Sequence, residues 1–164
     1  MTHDRPLDVH ELRDLATDLA ASTSLWRGCV RHDPAQRTFH PLLETEHTIA
    51  WLICWMPGHD TGFHDHDGCS GAVAVVEGAV REERIRWAHV PAARTVRAGG
   101  VFDFGVADIH RVLHAGTGPA VTIHAYSPVP RLMGAYVPGP GGVLQRHVVP
   151  EGEELRADAF AAVA

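Results

Sequence analysis

The stretch GHDTGFHDH occupies residues 58–66 and places two histidines, His64 and His66, two positions apart. In an extended chain, side chains at positions i and i+2 point to the same side, so both rings can aim at one point. A third metal ligand would then have to come from a neighbouring strand. The pair alone is a weak indication of a metal site, because surface histidines at this spacing are common.

Glycines around this pair make the indication stronger. Gly58 precedes His64 by six positions, Gly71 follows His66 by five, and Gly78 follows Gly71 by seven. This spacing resembles the first of the two sequence motifs of the cupin family. The resemblance implies that the histidine pair lies inside a small β-barrel and binds a metal ion.

A second segment begins at Gly99 and contains His110, and it resembles the second cupin motif. Only these two residues agree with that motif. The family usually has proline, glycine and asparagine where this chain has Gly105, Ala107 and His114. The resemblance implies an all-β cupin fold, a double-stranded β-helix or jelly-roll barrel, in which His110 is the third metal ligand.

The remaining sequence agrees with a mostly β protein. From about residue 38, short apolar runs alternate with Gly, Pro and Asp turns and predict strands at 48–55 (TIAWLICW), 72–77, 79–87, 94–97, 101–104, 110–114 and 120–126 (AVTIHAY). Many short strands at close intervals are typical of a β-sandwich or barrel. Leucines at helical spacing predict a short N-terminal helix over about residues 7–21. We therefore expect a single domain over residues 1–164, with its barrel at about 38–150.

Composition argues against several classes of protein. The formal net charge is -6, which provides no basic field for nucleic acid or anionic lipid. No apolar run is long enough to span a membrane, and the N-terminus does not resemble a signal peptide. The 3 cysteines are odd in number and widely spaced, which favours reduced thiols over a disulfide framework. We expect a cytoplasmic monomer or small homo-oligomer that acts on a small molecule.

Position 71 governs the chemistry of the predicted metal site. Most metal-binding cupins have a glutamate there, whereas Gly71 offers no ligand. The expected ligands are therefore three neutral imidazoles, from His64, His66 and His110. Such a site keeps the full charge of a dication and has room for a soft anionic ligand; imidazole suits iron, and thiolate is a soft ligand. Binding to the metal would deprotonate a thiol.

The chain from about residue 50 to 130 resembles the cysteine dioxygenase (thiol dioxygenase) family of cupins. The resemblance is carried by Leu52–Trp55, Gly58-His59, His64-Asp65-His66, Glu77-Gly78, Ile109–Val112 and Pro119–Pro128. Members of that family bind Fe(II) with three histidines and oxidise cysteine or a related thiol to the sulfinic acid with dioxygen. The resemblance implies Fe(2+) as the cofactor, and a small thiol and dioxygen as the substrates.

The same resemblance implies a catalytic relay. Thr122, His124 and Tyr126 match a Ser-His-Tyr relay of the family, and Trp55 matches a pocket tryptophan. The period-2 spacing of the three relay residues also places them on one face of a strand, independently of the resemblance. A chain from hydroxyl through imidazole to phenol would hold Tyr126 in one orientation.

Two departures from the family bear on the substrate. Animal members have a cysteine at the position of Gly71 that can crosslink to the relay tyrosine, and glycine rules this crosslink out. Cysteine-specific members clamp the substrate carboxylate with an arginine, but the matching stretch here is His40-Pro41-Leu42. Arg37 or another arginine is the candidate to replace it. The sequence therefore leaves the identity of the thiol open.

Three alternatives remain on the sequence alone. The first is a cupin dioxygenase that acts on a non-thiol chelating substrate, such as a diketone. The second is a non-catalytic cupin that binds a metal or a small ligand, against which the intact relay argues. The third is an isomerase or lyase cupin with zinc, nickel or manganese, because three imidazoles also suit zinc. The remaining histidines are expected to be ordinary surface residues, with His114 as a candidate neighbour of the ligands.

Overall fold

The computed structural model describes residues 4–85, 92–150 and 153–157. The helical elements precede the sheets: α1 Val9–Ala21, α2 Thr23–Trp26 and a 3₁₀ turn at Arg27–Cys29. The strands are β1 Thr38–Glu44, β2 Ile49–Trp55, β3 Phe63–Asp65, β4 Ser70–Glu77, β5 Ala79–Arg84, β6 Ala92–Arg97, β7 Val101–Phe104, β8 His110–His114, β9 Ala120–Ser127, β10 Leu132–Pro138 and β11 Leu144–Pro150, with a 3₁₀ turn at Pro140–Gly142.

The strands form two antiparallel sheets. Sheet A has the order β1-β2-β9-β4-β7, and sheet B has the order β11-β10-β3-β8-β5-β6. The chain crosses repeatedly from one sheet to the other, so most neighbouring strands are distant in sequence. Two packed antiparallel sheets with a short N-terminal helix confirm the predicted fold class.

The N-terminal helix covers the outer face of sheet A. Asp8 caps it by accepting the backbone N–H groups of His10 and Glu11 at 2.8 and 2.9 Å, while the Glu11 carboxylate accepts the N–H of Asp8. This capping box starts the helix at Val9, two residues after the predicted start. Its buried face packs on small residues of the sheet, namely Ala50, Ala72, Ala74 and Ala125. Their short side chains allow the helix to approach closely.

The core lies between the two sheets. Sheet A contributes Ile53, Trp55, Val73, Val75, Phe102 and Phe104, and sheet B contributes Val80 and Val112. Strands β2, β4 and β9 are buried over nearly their whole length, because the helix covers one face and sheet B covers the other. This burial explains why they have nearly continuous apolar runs, which made them visible in the sequence.

Four strands were not among those predicted: β1, β3, β10 and β11. Strands β1 and β11 are largely exposed, and β10 and β11 pair with each other over their full lengths. Strands β1 and β11 depend on cross-strand pairing more than on burial, and neither sequence has a clear apolar pattern. The predicted strand at 79–87 is observed as Ala79–Arg84, and its last two residues lie outside the described part.

None of the helices in the described part of the chain is both long and apolar enough to cross a membrane.

Candidate functional site

Three predicted ligands meet between the sheets. His64 lies in β3 and pairs directly with His110, the first residue of β8, while His66 follows β3 by one residue. One nitrogen from each ring lies within 4.8 Å of the others. The ring centroids are 4.7 to 5.1 Å apart, and the residues are only 1 to 3 % exposed. Antiparallel pairing of β3 with β8 brings the third ring to the pair.

Polar contacts set the tautomers of two of these rings. Nδ1 of His64 lies 3.0 Å from the carbonyl oxygen of Gly62, and Nδ1 of His110 lies 3.1 Å from the carboxylate of Glu82. Both oxygens only accept hydrogen bonds, so each Nδ1 donates and each Nε2 of a neutral ring has a free lone pair. A histidine held in this way by a carbonyl or carboxylate is typical of metal ligands.

The cluster also has nitrogens that lack hydrogen-bond partners. Within the described ranges, Nδ1 of His66 and Nε2 of His110 are buried with no partner. Burying an unpaired polar atom costs free energy, which a coordinated cation would recover at Nε2 of His110. The donor set therefore fits a metal ion held by nitrogen ligands.

Burial keeps the three rings uncharged. It lowers the pKa of His64 to about 4 and holds the pKa values of His66 and His110 well below the ordinary value. The neighbouring rings lower the pKa values of His66 and His110 further, because a second positive charge close by is unfavourable. Neutral imidazole is the form that binds metals, so the cluster needs no deprotonation near neutral pH.

A buried carboxylate supports the third ligand. Glu82 in β5 is 1 % exposed, and its oxygens accept from His110, from Nε of Arg84 at 2.9 Å and from Nε of Arg94 at 2.7 Å. The two guanidinium groups compensate its charge, as burial of a carboxylate requires. Glu82 was not among the predicted site residues, because the charged run at 81–84 resembles a solvated strand face. The sequence feature that could have indicated its burial is its position two residues after the apolar Val80, on the same face of the strand.

Steric crowding explains why position 71 offers no ligand. Gly71 pairs with Phe104 on one side and with Tyr126 on the other. A Cβ atom at position 71 would lie 2.2 Å from Cζ of Phe104, whose ring stacks on His66 with centroids 4.3 Å apart. The phenyl ring therefore takes the space that a carboxylate at position 71 would need, which leaves the three imidazoles as the cluster.

The relay residues form a continuous hydrogen-bonded chain along β9. Trp55 donates its indole N–H to the hydroxyl of Thr122 at 2.8 Å. That hydroxyl lies 2.9 Å from Nε2 of His124, whose Nδ1 lies 3.0 Å from the hydroxyl of Tyr126. Burial lowers the pKa of His124 to about 3 and raises that of Tyr126, so imidazole and phenol are both neutral. The Tyr126 ring lies 5.4 Å from the ring of His66, which joins relay and cluster.

The two remaining histidines of interest lie elsewhere. His40 was a candidate pocket residue, but it is exposed on β1 and pairs with Leu52, whose side chain packs with Trp26 on the outer face of sheet A. Strand alternation thus turns it away from the cluster. His114 is also not a neighbour of the ligands, because it lies at the far end of β8 with Nε2 2.7 Å from the carbonyl oxygen of Gly118. His3 and His89 lie outside the described residues.

A cavity of about 580 Å³ reaches Tyr126, and its wall also contains Arg37, Trp51, Ile53, Met133 and Glu154. The structure thus places Arg37, the candidate clamp, beside the relay. Trp55, the candidate pocket tryptophan, is fully buried beneath the guanidinium of Arg37, whose Cζ lies 5.0 Å from the ring centroid. Trp55 is not among the residues of the cavity wall; besides Arg37, it contacts the core and the relay.

Comparisons with known proteins agree with this geometry. A family model described as cysteine dioxygenase type I matches residues 1–136. A protein from Thermus thermophilus, TT1209, superposes with a TM-score of 0.56 at 19% identity, over 62% of this chain and 92% of its own. An uncharacterized conserved protein with a double-stranded β-helix domain from Klebsiella pneumoniae superposes with a TM-score of 0.54 at 14% identity. The match covers 73% of this chain and 91% of that protein. KdgF from Halomonas sp. superposes with a TM-score of 0.52 at 18% identity, over 60% of this chain and 84% of its own.

The search among curated proteins found no match. At sequence identities this low, similarity to the solved structures establishes only the fold. It confirms the double-stranded β-helix that the motif spacing implied.

Proposed function

Because this chain belongs to the cysteine dioxygenase type I family, we propose that it is a mononuclear non-haem iron thiol dioxygenase. In the proposed reaction one thiol and one dioxygen give one sulfinic acid, so both oxygen atoms enter the product. The substrate is a small thiol, either cysteine or a relative. The three free cysteines support a cytoplasmic setting for this activity, where thiols stay reduced.

One observation carries the proposal: a cluster of three neutral histidines adjoins a phenol that is held in place by a hydrogen-bonded relay. The cluster alone would suit a protein that stores or senses a metal. An oriented hydroxyl beside it adds a proton donor at the place where a substrate would react, and a metal store has no use for one. The relay therefore favours an enzyme over a non-catalytic binding protein.

The contacts of the relay favour one arrangement of its protons. The Thr122 oxygen accepts from Trp55, and its own proton can go to His124 at 2.9 Å or to the carbonyl of Ile53 at 3.5 Å. The shorter contact favours His124, whose Nδ1–H then donates to the oxygen of Tyr126. In this arrangement the phenol proton of Tyr126 remains free to donate towards the substrate or to an oxygen atom being transferred.

The surroundings of the cluster suit ferrous iron. His64, His66 and His110 would hold it, and Phe104 occupies the side from which a carboxylate ligand would come. When bound there, Fe(II) would supply the redox chemistry with dioxygen and lower the pKa of the substrate thiol. The protein would orient the substrate, and the buried apolar neighbours would exclude water.

The proposed function can be tested by oxygen uptake. The protein would be loaded with Fe(II) under nitrogen and then mixed with air-saturated buffer that contains one of several small thiols or a β-diketone. We expect one dioxygen consumed per thiol lost. With isotopically labelled dioxygen, we expect a sulfinic acid that contains two heavy oxygen atoms by mass spectrometry.

Zinc-loaded protein is the matched control, because zinc binds imidazole but has no redox chemistry. Oxygen consumption with the diketone and with no thiol would replace the proposal by a dioxygenase acting on carbon. Metal binding without oxygen consumption for any compound would replace it by a non-catalytic cupin.

A further inference from the structure

The wall of the 580 Å³ cavity near Tyr126 has a mainly apolar lining, to which β2 contributes Ile49, Trp51 and Ile53. If the proposed function holds, this cavity is where the body of the thiol lies, because it reaches the phenol of the relay. In a mainly apolar wall, the few charged residues decide which functional groups the bound thiol can have.

The buried charge in this wall is Arg37, whose side chain is only 4 % exposed. Its guanidinium lies over two aromatic rings, with Cζ 5.0 Å from the ring centroid of Trp55 and 5.4 Å from that of Phe39. Trp55 in turn donates to Thr122 of the relay. Arg37 is thus held in the wall of the cavity that reaches Tyr126, and it contacts the relay through Trp55.

An internal carboxylate already neutralises this guanidinium. Glu154 accepts the Nε–H of Arg37 at 2.9 Å and its backbone N–H at 3.2 Å, and the carbonyl of Leu155 accepts from Nη2. Arg37 and Glu154 also line a second cavity of about 370 Å³, so the ion pair forms part of the partition between the two spaces. Glu154 lies beyond residue 136, where the match to the family model ends.

We propose that Glu154 determines the specificity of the site by occupying Arg37, so that the preferred substrate is a thiol without a carboxylate group. A substrate carboxylate near Arg37 would lie close to the carboxylate of Glu154 in a mostly apolar wall, where repulsion is weakly screened. The two other charged residues of the wall, Arg131 and Glu153, are exposed and of opposite sign, so water screens them. This inference rests on the proposed function.

The test compares L-cysteine with its methyl ester, which lacks the carboxylate charge and retains a thiol and an amine. For the Fe(II) protein we expect kcat/KM for the ester to exceed that for cysteine by about tenfold. Under nitrogen, where no turnover occurs, titration calorimetry should give Kd values in the same order.

The variant Glu154→Gln removes the competing charge and keeps the shape of the side chain. We expect the ester-to-cysteine ratio of kcat/KM to fall by about tenfold, because Arg37 becomes free to bind the substrate carboxylate. Each thiol has the same intrinsic reactivity with the wild-type protein and with the variant. A change in the ester-to-cysteine ratio between the two proteins therefore reports the effect of the pocket. The control is Glu44→Gln, which removes an exposed charge at the end of β1 and should leave the ratio unchanged.

Several results would overturn the inference. One is a wild-type preference for cysteine over the ester, and another is an equal ratio in wild type and Glu154→Gln. If the variant does not fold, the wild-type Kd values decide the question alone. If neither thiol is oxidised but both bind, the proposed function fails, and the order of the Kd values still tests the role of Glu154.

Discussion

The two sheets contribute opposite halves of the site and hold their residues in different ways. In sheet A, the relay lies on β9, where only Tyr126 is less than fully buried, because α1 covers the outer face of the sheet. In sheet B, His64 and His110 lie on β3 and β8, where buried residues are interspersed with partly exposed ones, and His66 directly follows β3. Packing on both faces thus positions the relay strand, whereas the ligands depend on individual polar contacts.

This difference has a consequence for function. A residue in sheet A has many apolar neighbours, so removing one polar atom leaves the strand in place. The rings of His64 and His110 are oriented by single acceptors, the carbonyl of Gly62 and the carboxylate of Glu82. We therefore expect substitutions in sheet B to change metal binding and substitutions in the relay to change turnover with the metal retained.

The largest effect is expected for His110→Ala. It removes one of three ligands and leaves two imidazoles, so iron retention and oxygen consumption should both be lost. Metal analysis after gel filtration, with a circular dichroism spectrum to verify folding, measures the effect. Iron at one equivalent in a folded variant would show that His110 is not a ligand.

A smaller effect is expected for Tyr126→Phe. The ring and its packing remain, but the hydroxyl that His124 orients is lost. We expect kcat to fall by about a hundredfold, as for loss of a general acid, while iron content stays at the wild-type level. Steady-state oxygen uptake with parallel metal analysis separates the two quantities, and unchanged kinetics would remove the phenol from the mechanism.

The smallest effect is expected for Glu82→Gln. The amide oxygen can still accept from His110, but Arg84 and Arg94 lose their shared anion. We expect the affinity for Fe(II) to fall by about tenfold, as is typical when the partner of a metal-bound histidine is changed. Competition with a chromophoric chelator under nitrogen measures this affinity.

The matched control is Glu83→Gln in the next position of β5. Glu83 is partly exposed and pairs with Arg81 at 2.8 Å, so its loss removes the same charge without touching the cluster. Equal affinities in the two variants would show that Glu82 has no special role in holding His110, and the contrast between the sheets would then be weaker than the structure suggests.

Much of the fold and of the candidate site could be predicted from the sequence, because the informative signals are local. The buried strands of sheet A have continuous apolar runs, and the spacing of glycines and histidines resembles the family motifs. The exposed strands β1 and β11 had no such signal. Glu82 was missed for a related reason: it lies in a charged run, and its contacts with Arg94 of β6 and His110 of β8 form only when the strands pair.

Which residues share a face follows from their spacing along the chain. His64 with His66, and Thr122 with His124 and Tyr126, lie two positions apart, and the alternation of an extended chain aligns them wherever the strand goes. What these faces contact depends on how the sheets and the C-terminal segment pack. Phe104 lies over Gly71, and Glu154 meets Arg37 across 117 positions of the chain. Such pairs depend on strand order and on the path of the C-terminal segment, and these follow from the packing of the whole chain.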